Sequence, residues 1–192
     1  MIGIDVIDLR QITEFDSERR QRFLKKVFTA GERDFIDSSP NVDLAIWRLW
    51  SMKESAYKIL SRTSNKRSFS PIKLNCEILS ESVGQVWSDD HILFTRTSTS
   101  DYAISTVSTN SLADHFDEFL FNINYKNHAE QSSIVYQKLI EKIAEKYQIQ
   151  NRFLSVKKNE IGVPFLLYKT SFFKVDFSLS HHGNCGFIAI QS

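Results

Sequence analysis

Two acidic residues of this sequence lie in stretches that are otherwise mainly apolar. Asp5 interrupts the run IGIDVI, and Glu54 lies inside a long segment with helical periodicity. An unpaired carboxylate in an apolar setting carries a desolvation cost, so both acids need a partner. A hard cation would explain both, because magnesium takes oxygen ligands and is usually bound by one or two carboxylates together with substrate phosphates.

Two lysines accompany Glu54 in the same segment. Lys58 follows Glu54 by four residues and lies on the same helical face, whereas Lys53 precedes Glu54 directly and points about 100° away. From this spacing alone an ordinary intrahelical pair between Glu54 and Lys58 is the favoured interpretation, so the wider sequence has to decide whether the pair does chemistry.

The elements that would position these residues follow from the hydrophobic pattern. Apolar residues at three- and four-residue spacing predict a long helix over residues 42–60. Residues 1–8 read as a short strand closed by Asp8. A helix is predicted over residues 17–28, and Thr29 with Glu32 forms a capping box that starts a second one. Further strands are predicted at residues 72–79, 84–87, 91–96 and 102–107.

The pattern begins again after residue 110. A strand is predicted over residues 118–125 and an amphipathic helix from about residue 131 to 147. Short strands follow around residues 153–156, 175–179 and 187–190. We therefore expect an α+β fold with two similar lobes, residues 1–112 and 113–192, each a small antiparallel sheet packed on a long helix.

Composition narrows the class of protein. The 192 residues are 42% hydrophobic and carry 24 basic and 23 acidic side chains, a net charge of +1 that draws the chain to neither nucleic acid nor membrane. Cys76 and Cys185 lack the spacing of a disulfide framework or a zinc site. No apolar run approaches the ~18 residues of a membrane span, and the start lacks signal-peptide features. We expect a cytoplasmic enzyme.

Two stretches resemble the signature motifs of a known family. Residues 3–8, GIDVID, and residues 50–58, WSMKESAYK, closely resemble the motifs G-x-D and W-x-x-K-E-[AS]-x-x-K of the 4'-phosphopantetheinyl transferase superfamily. The segment RRQRFLKKVFTAGERDF is similar to the matching part of the short, holo-acyl-carrier-protein-synthase group. Near the C-terminus, GVPF resembles G-[KR]-P and FSLSHHG resembles F-[NS]-[LI]-S-H-[ST].

The order of these motifs differs from that of the larger, surfactin-synthetase-type members. In those proteins the serine-histidine motif precedes G-x-D, whereas here it follows. The resemblance therefore implies a two-lobed transferase with permuted lobes, the metal-binding lobe first. A single-lobe enzyme with a long insertion is the rival interpretation.

The resemblance also implies a reaction and a set of roles. Family members transfer the phosphopantetheine arm of coenzyme A to a serine of an apo carrier protein and release adenosine 3',5'-bisphosphate. By motif position Asp5 and Glu54 would hold Mg²⁺, Lys53 would contact phosphate, and Lys58 would act on the attacking serine as a general base or an electrostatic aid. At the nucleotide end, Ser180 and His181 would bind the 3'-phosphate of coenzyme A, whereas His182 is expected to be a surface side chain.

Two positions, Ile7 and Val163, depart from the family pattern. Ile7 stands where many two-lobed relatives have a third acid, so water would replace that ligand. Val163 replaces the basic residue of G-[KR]-P, unless Lys157 or Lys158 supplies the charge. Asp8 matches the short group instead, either orienting a ligand or capping the strand end.

The basic residues of the first helix suggest a docking surface. Arg19 and Arg22 align with carrier-contacting arginines of the short group, so acyl or peptidyl carrier proteins, which are typically acidic, are expected to dock there. A solvated helix face is the alternative. Because one chain carries both lobes, we expect a monomer. The rival functions are a non-catalytic homologue that binds a nucleotide or carrier protein and a plain interaction domain.

Overall fold

The computed structural model describes residues 1–12, 17–88, 91–124 and 127–191. Within these ranges the α-helices are α1 (Ser17–Val27), α2 (Ala30–Ser38), α3 (Val42–Ser64) and α4 (His128–Tyr147). The strands are β1 (Ile2–Asp8), β2 (Asn75–Ile78), β3 (Val83–Ser88), β4 (His91–Thr99), β5 (Ala103–Thr109), β6 (Phe116–Asn122), β7 (Leu154–Lys158), β8 (Pro164–Tyr168), β9 (Ser171–Phe173), β10 (Phe177–His182) and β11 (Cys185–Gln191). Short 3-10 helices cover Leu9–Gln11, Pro71–Lys73 and Asn151–Phe153.

The strands form three antiparallel sheets. The first has the order β1-β5-β4-β3-β2, the second β10-β11-β6, and the third β7-β8-β9. This mixture of helices and antiparallel sheets confirms the α+β fold class that the sequence predicts.

Each of the two long helices packs against a sheet. Helix α3 starts at Asn41, whose side chain accepts a hydrogen bond from the Leu44 amide, and ends at Asn65 in the left-handed conformation. Its apolar face forms a core with the first sheet that includes Leu49, Met52 and Val86. Helix α4 covers the second and third sheets, and its Leu139 packs in a separate core with residues of β8 and β11.

A third core and a ladder of hydrogen bonds join the two halves. Ile2, Ile4 and Val6 of β1 pack against Phe187 and Ala189 of β11. Along the edge, every second amide of β1 donates to a side chain of the segment that leads into and forms β10. The pairs are Ile2 N to Asp176 Oδ2 (3.0 Å), Ile4 N to Ser178 Oγ (3.2 Å), Val6 N to Ser180 Oγ (3.3 Å) and Asp8 N to His182 Nδ1 (3.0 Å). Because every pair has the same sequence separation of 174 residues, β1 and β10 run parallel in a fixed register.

The periodic segments of the sequence become elements with shifted ends. Helix α3 extends four residues beyond its predicted end, and the segment expected as a strand from residue 72 begins with a 3-10 helix. The prediction missed β8 and β9. Tyr125, the last residue of one predicted strand, lies outside the described residues. Among residues 116–191, the described part forms strands, α4 and a short 3-10 helix rather than an extended appendage, while the boundary near residue 112 stays a prediction.

In the parts of the chain that the structure describes, the helices are too short or too polar to serve as membrane spans.

Gly3 lets β1 lie directly on α3. A Cβ atom built at this position would be 2.1 Å from the Ser55 carbonyl oxygen and 3.1 Å from the Ile59 side chain. The first of these contacts is with helix backbone, which cannot rotate away. The close approach brings Asp5, two residues further along the same face of β1, next to the turns of α3 that carry Ser51, Glu54 and Lys58.

We expect the G3A substitution to lower the free energy of unfolding by about 1–3 kcal/mol, because the methyl group would push β1 away from α3. The G31A substitution is the matched control, since a Cβ atom built at Gly31 meets nothing within 4 Å and alanine favours the helix. Urea denaturation followed by circular dichroism measures both. Equal stability of G3A and wild type would contradict the close-contact argument.

Candidate active site

Strand β1 and helix α3 bring three of the predicted residues together. The Lys58 ammonium is 3.6 Å from Asp5 Oδ1, and the Ser180 hydroxyl donates to the same oxygen at 3.0 Å. Asp5 is only 7% exposed. Glu54 is near enough to Asp5 and Lys58 for both charges to act on its carboxyl group. The cluster lies where the two lobes meet.

Burial dominates the electrostatics of the two acids. It raises the pKa of Asp5, although Lys58 and the hydroxyls of Ser180 and Ser51 act in the opposite direction. Burial also raises the pKa of Glu54 to about 7, with a further contribution from the Asp5 carboxylate and a partial offset from Lys58. Two desolvated carboxylates with one nearby lysine are therefore short of positive charge.

The donor set fits a magnesium ion. Asp5 Oδ2 is buried and has no hydrogen-bond partner among the described residues. Such an oxygen, beside the under-compensated carboxyl of Glu54, has the character of an open cation ligand. The described residues hold no cluster of three or more His, Cys, Asp or Glu side chains arranged for a metal. Magnesium needs no such cluster where substrate phosphates and water supply the remaining oxygens.

Lys58 connects three elements. Its ammonium donates to the Ile4 carbonyl of β1 at 2.6 Å and to the Leu179 carbonyl of β10 at 3.4 Å, besides facing Asp5 on β1. An ammonium has three donors, and these three oxygens surround it. These contacts hold the ammonium between β1 and β10.

A cleft of about 210 Å³ opens beside Lys58 between the lobes. Its lining includes Lys58, Arg62 and Arg67 together with residues 161–164 and part of β10. The cleft therefore contains the GVP segment that resembles a family motif. Three cations around a small cleft are suited to a ligand with several negative charges.

Arg67 lies next to the GVP segment. A Cβ atom at Gly162, whose φ angle is +80°, would be 3.2 Å from Arg67 Nη1. The expectation that Lys157 or Lys158 replaces the missing charge at Val163 therefore does not fit the structure. Neither lysine is among the described residues that line the cleft, and Lys158 lies over the Tyr136 ring.

Lys53 lies apart from this group, within the core of the first lobe. Its side chain is fully buried, and its ammonium donates to Glu32 Oε2 at 2.9 Å, to the Pro71 carbonyl at 2.9 Å and to the Leu74 carbonyl. Neighbouring helical residues point in different directions, so Lys53 faces this core while Glu54 faces the side of α3 that meets β1. With three acceptors and no exposed surface, Lys53 makes protein contacts here, and its predicted phosphate contact stays a prediction.

Ser180 and His181 point to opposite faces of β10, as neighbouring strand residues must. Ser180 is 8% exposed, accepts a hydrogen bond from the Val6 amide and donates its only hydroxyl proton to Asp5. It is therefore placed to orient Asp5 rather than to bind a nucleotide. His181 faces α4, with Nε2 3.1 Å from Ser132 Oγ, and its predicted nucleotide contact stays a prediction. His182 is exposed, as expected, and its Nδ1 accepts a hydrogen bond from the Asp8 amide.

Asp8 caps the end of β1. Its carboxylate forms an ion pair with Arg10 Nε at 2.8 Å. It also accepts hydrogen bonds from the backbone amides of Asn184 at 2.8 Å and Arg10 at 3.1 Å. Burial by itself would raise its pKa, but the hydrogen bonds from Arg10 and Asn184 hold that pKa below its usual value. Of the two predicted roles, these contacts match the cap. Ile7 is buried and offers no oxygen to the site.

Arg19 and Arg22 lie on α1, at the surface of the first lobe. Both are exposed, and Arg22 lies 3.9 Å from Glu18 on the same helix. Neither lines the cleft described above. A role for these arginines would therefore concern a partner protein rather than the small-molecule site.

Sequence reasoning missed Arg62, Arg67 and Ser51. Arg62 follows Lys58 by four residues on the same helical face, so its position carried a signal. Arg67 belongs to a polar loop whose path no local pattern reveals. Ser51 carried no signal beyond its three-residue spacing from Glu54.

Comparison with known proteins agrees with this geometry. A family model described as the 4'-phosphopantetheinyl transferase superfamily matches residues 1–112. The chain is also similar to the holo-[acyl-carrier-protein] synthase of Carboxydothermus hydrogenoformans, with 31% identity over 72 residues. That alignment covers 38% of this chain and 58% of the relative's length. Because the family model covers more than half of the chain and includes Asp5, Glu54 and Lys58, this chain belongs to the 4'-phosphopantetheinyl transferase superfamily.

Proposed function

We propose that this protein transfers the 4'-phosphopantetheine arm of coenzyme A to a serine of an apo carrier protein, in a reaction that needs Mg²⁺. The observation that carries the proposal is the pair of desolvated carboxylates, Asp5 and Glu54, beside Lys58, which lines a cleft together with Arg62 and Arg67. Membership of the superfamily connects this geometry with phosphopantetheinyl transfer.

The proposed chemistry is phosphoryl transfer. The serine oxygen of the carrier protein forms a bond to the β-phosphorus of coenzyme A, while the bond from that phosphorus to the bridging oxygen breaks. Adenosine 3',5'-bisphosphate leaves with the bridging oxygen, and the serine proton passes to water or a base. The main tasks of the protein are to align the two substrates and to stabilise the developing negative charge.

Asp5 and Glu54 are the proposed ligands of the magnesium ion. Ser180 holds Asp5 Oδ1, which leaves Oδ2 directed at the site. When bound, magnesium would neutralise the pyrophosphate of coenzyme A and withdraw charge from the leaving group. The Glu54 carboxyl must be ionised for this role, so metal binding would displace its proton.

Lys58 acts in this proposal as a cation and not as a general base. Its neighbours are the carbonyl oxygens of Ile4 and Leu179 and the carboxylate of Asp5, all of which are acceptors, so the side chain is placed to donate hydrogen bonds. A charged Lys58 at the cleft wall would instead stabilise a phosphate oxygen and the incoming serine.

The cleft between the lobes is the proposed coenzyme A site. Arg62 is bound to Asp176 at 3.2 Å and would present its remaining donors to phosphate. Arg67 supplies the positive charge that Val163 lacks. Both walls of the cleft belong to one chain, which supports a monomeric enzyme whose lobes are permuted relative to the larger family members.

Helix α1 is the proposed docking surface for the carrier protein. Arg19 and Arg22 are exposed on it, and an acidic partner would gain charge-assisted hydrogen bonds there. The identity of the carrier protein and the cytoplasmic location stay predictions.

Incubation with Mg²⁺, coenzyme A and apo carrier proteins should add the mass of one phosphopantetheine group to the carrier, as measured by mass spectrometry of the intact protein. The E54Q variant should lose at least about a hundredfold in rate, because one oxygen ligand and its charge are removed. Undiminished labelling by E54Q would refute the metal assignment. Absence of labelling by the wild-type protein for every carrier tested would favour a non-catalytic homologue.

Stability in metal-free buffer should depend on pH through Glu54. A carboxyl with a raised pKa stabilises the folded protein below its unfolded pKa of about 4.5 and loses that contribution as pH rises through about 7. From pH 5 to 8 in the presence of a chelator, the free energy of unfolding of wild type should therefore fall relative to E54Q by on the order of 1–2 kcal/mol. Because the Asp5 and Glu54 carboxyl groups interact, the measured difference reports the titration of the pair and not of Glu54 alone.

Chemical denaturation at each pH measures this difference. The E18Q variant is the control, because the Glu18 side chain is 84% exposed and its loss should leave the pH dependence of wild type unchanged. Parallel curves for wild type and E54Q would show that Glu54 does not titrate in this range.

Reversal of the charges at Arg19 and Arg22 to glutamate should raise the KM for the carrier protein about tenfold and leave the KM for coenzyme A unchanged, since α1 does not line the cleft. Reversal of Lys157 and Lys174, two exposed lysines of the second lobe, is the control. An unchanged carrier KM in the α1 variant, or an equal rise in the control, would argue against docking on α1.

A further inference from the structure

Two buried oxygens lie next to each other without hydrogen-bond partners. Ser51 is fully buried, and its hydroxyl has no partner among the described residues. The same holds for Asp5 Oδ2. The Ser51 hydroxyl is close enough to the Asp5 carboxyl to lower its pKa, although neither oxygen has a partner of full hydrogen-bond geometry. Buried polar groups are rarely left unpaired, so two such atoms on neighbouring side chains indicate a missing group beside them.

The position of Ser51 on α3 supports this interpretation. Ser51, Glu54 and Lys58 are separated by three and four residues, so they form one stripe of the helix facing β1. Glu54 and Lys58 belong to the candidate active site. Ser51 therefore presents its hydroxyl to the same space as the two carboxylates.

Ser55, in the same stripe, shows that a buried hydroxyl of α3 need not be unpaired. Its Oγ donates to the Met52 carbonyl at 3.0 Å and lies 2.7 Å from Ser108 Oγ of β5. Ser55 is as fully buried as Ser51, yet it is satisfied within the protein. The unpaired state of Ser51 is thus a feature of its location beside Asp5.

A hydrated magnesium ion matches the missing group. Magnesium usually keeps several of its waters, and each bound water needs an acceptor. A serine hydroxyl can accept from such a water and donate to a carboxylate at once. Ile7, which shares a strand face with Asp5, offers no oxygen for this purpose.

We propose that Ser51 is a positioning residue of the cation site, where its hydroxyl accepts a hydrogen bond from a water of the bound magnesium ion and donates one to Asp5 Oδ2. The inference rests on the proposed function, because it assumes that Asp5 and Glu54 bind the cation. It adds an oxygen that neither the motif resemblance nor the family match assigns.

Direct metal binding tests the role of Ser51 without an activity assay. Mn²⁺ is titrated into the purified protein with a saturating concentration of coenzyme A, whose phosphates supply further ligands, and free Mn²⁺ is followed by electron paramagnetic resonance against a titration of coenzyme A alone. We expect S51A to raise the Kd for Mn²⁺ about tenfold, a size typical for residues that orient ligands. S51C, which keeps the side-chain size but replaces the oxygen with sulfur, should behave like S51A.

The S55A variant is the matched control. It breaks a satisfied pair, so it should lower the thermal midpoint of unfolding and leave the Kd for Mn²⁺ unchanged. S51A removes a hydroxyl that lacks a protein partner, so its thermal midpoint in metal-free buffer should equal or exceed that of wild type. A merely structural role for Ser51 would give the opposite pattern.

The D5N variant separates the two levels of the argument. Loss of Mn²⁺ binding in D5N together with a wild-type Kd in S51A would overturn the role of Ser51 and leave the cation site intact. Unchanged binding in D5N would overturn the cation site of the proposed function. Absence of Mn²⁺ binding by wild type would overturn both.

Discussion

The ladder between β1 and β10 is the constraint on which the candidate site depends. Both strands lie at the edge of their own sheets, where unpaired amides would normally face solvent or a partner strand. Here the amides of β1 are satisfied by side chains of the second lobe at a constant separation of 174 residues. In that register the Ser180 hydroxyl donates a hydrogen bond to Asp5, and the Leu179 carbonyl accepts one from Lys58. A slip of two residues would bring another side chain to Asp5, so the chemistry of the first lobe is set by the docking of the second.

Two adjacent residues of α3 show how a structural charge differs from a functional one. Lys53 is fully buried, but Glu32 and two carbonyls satisfy its ammonium completely, and Glu32 in turn accepts the amides of Thr29 and Cys76. Glu54 is less buried, yet burial raises its pKa to about 7, with a further contribution from the Asp5 carboxylate and only a partial offset from Lys58. A satisfied buried pair stabilises one arrangement of helices and strands. A pair of carboxylates without enough positive charge, such as Asp5 and Glu54, raises the free energy of the empty site. A bound cation would therefore be stabilised there.

The sequence predicts much of the fold and part of the site. Periodicity located α3 and α4, because each buries one face, and apolar or alternating runs located most strands. The pattern missed β8 and β9, whose short runs FLLY and SFF show no alternation of apolar and polar residues. The meeting of Asp5, Glu54 and Lys58 followed from motif context. Lys53 and Ser180 make protein contacts that the motifs did not indicate, because a motif gives residue order but not the direction of each side chain from a helix or strand. Arg67 could not be found, since only the folded loop brings it to Gly162.

Arg67 also bears on how departures from a family motif should be read. Val163 removes a cation from the GVP segment, and by sequence this loss weakens the inference of activity. In the folded chain, a guanidinium from the loop after α3 lies against Gly162 and lines the same cleft. A polyphosphate ligand would interact with the total electrostatic field in the cleft, whichever element supplies the positive charge. The proposed cation therefore comes from the loop after α3 rather than from the GVP segment. The replacement is possible because the ladder holds these two parts of the chain together.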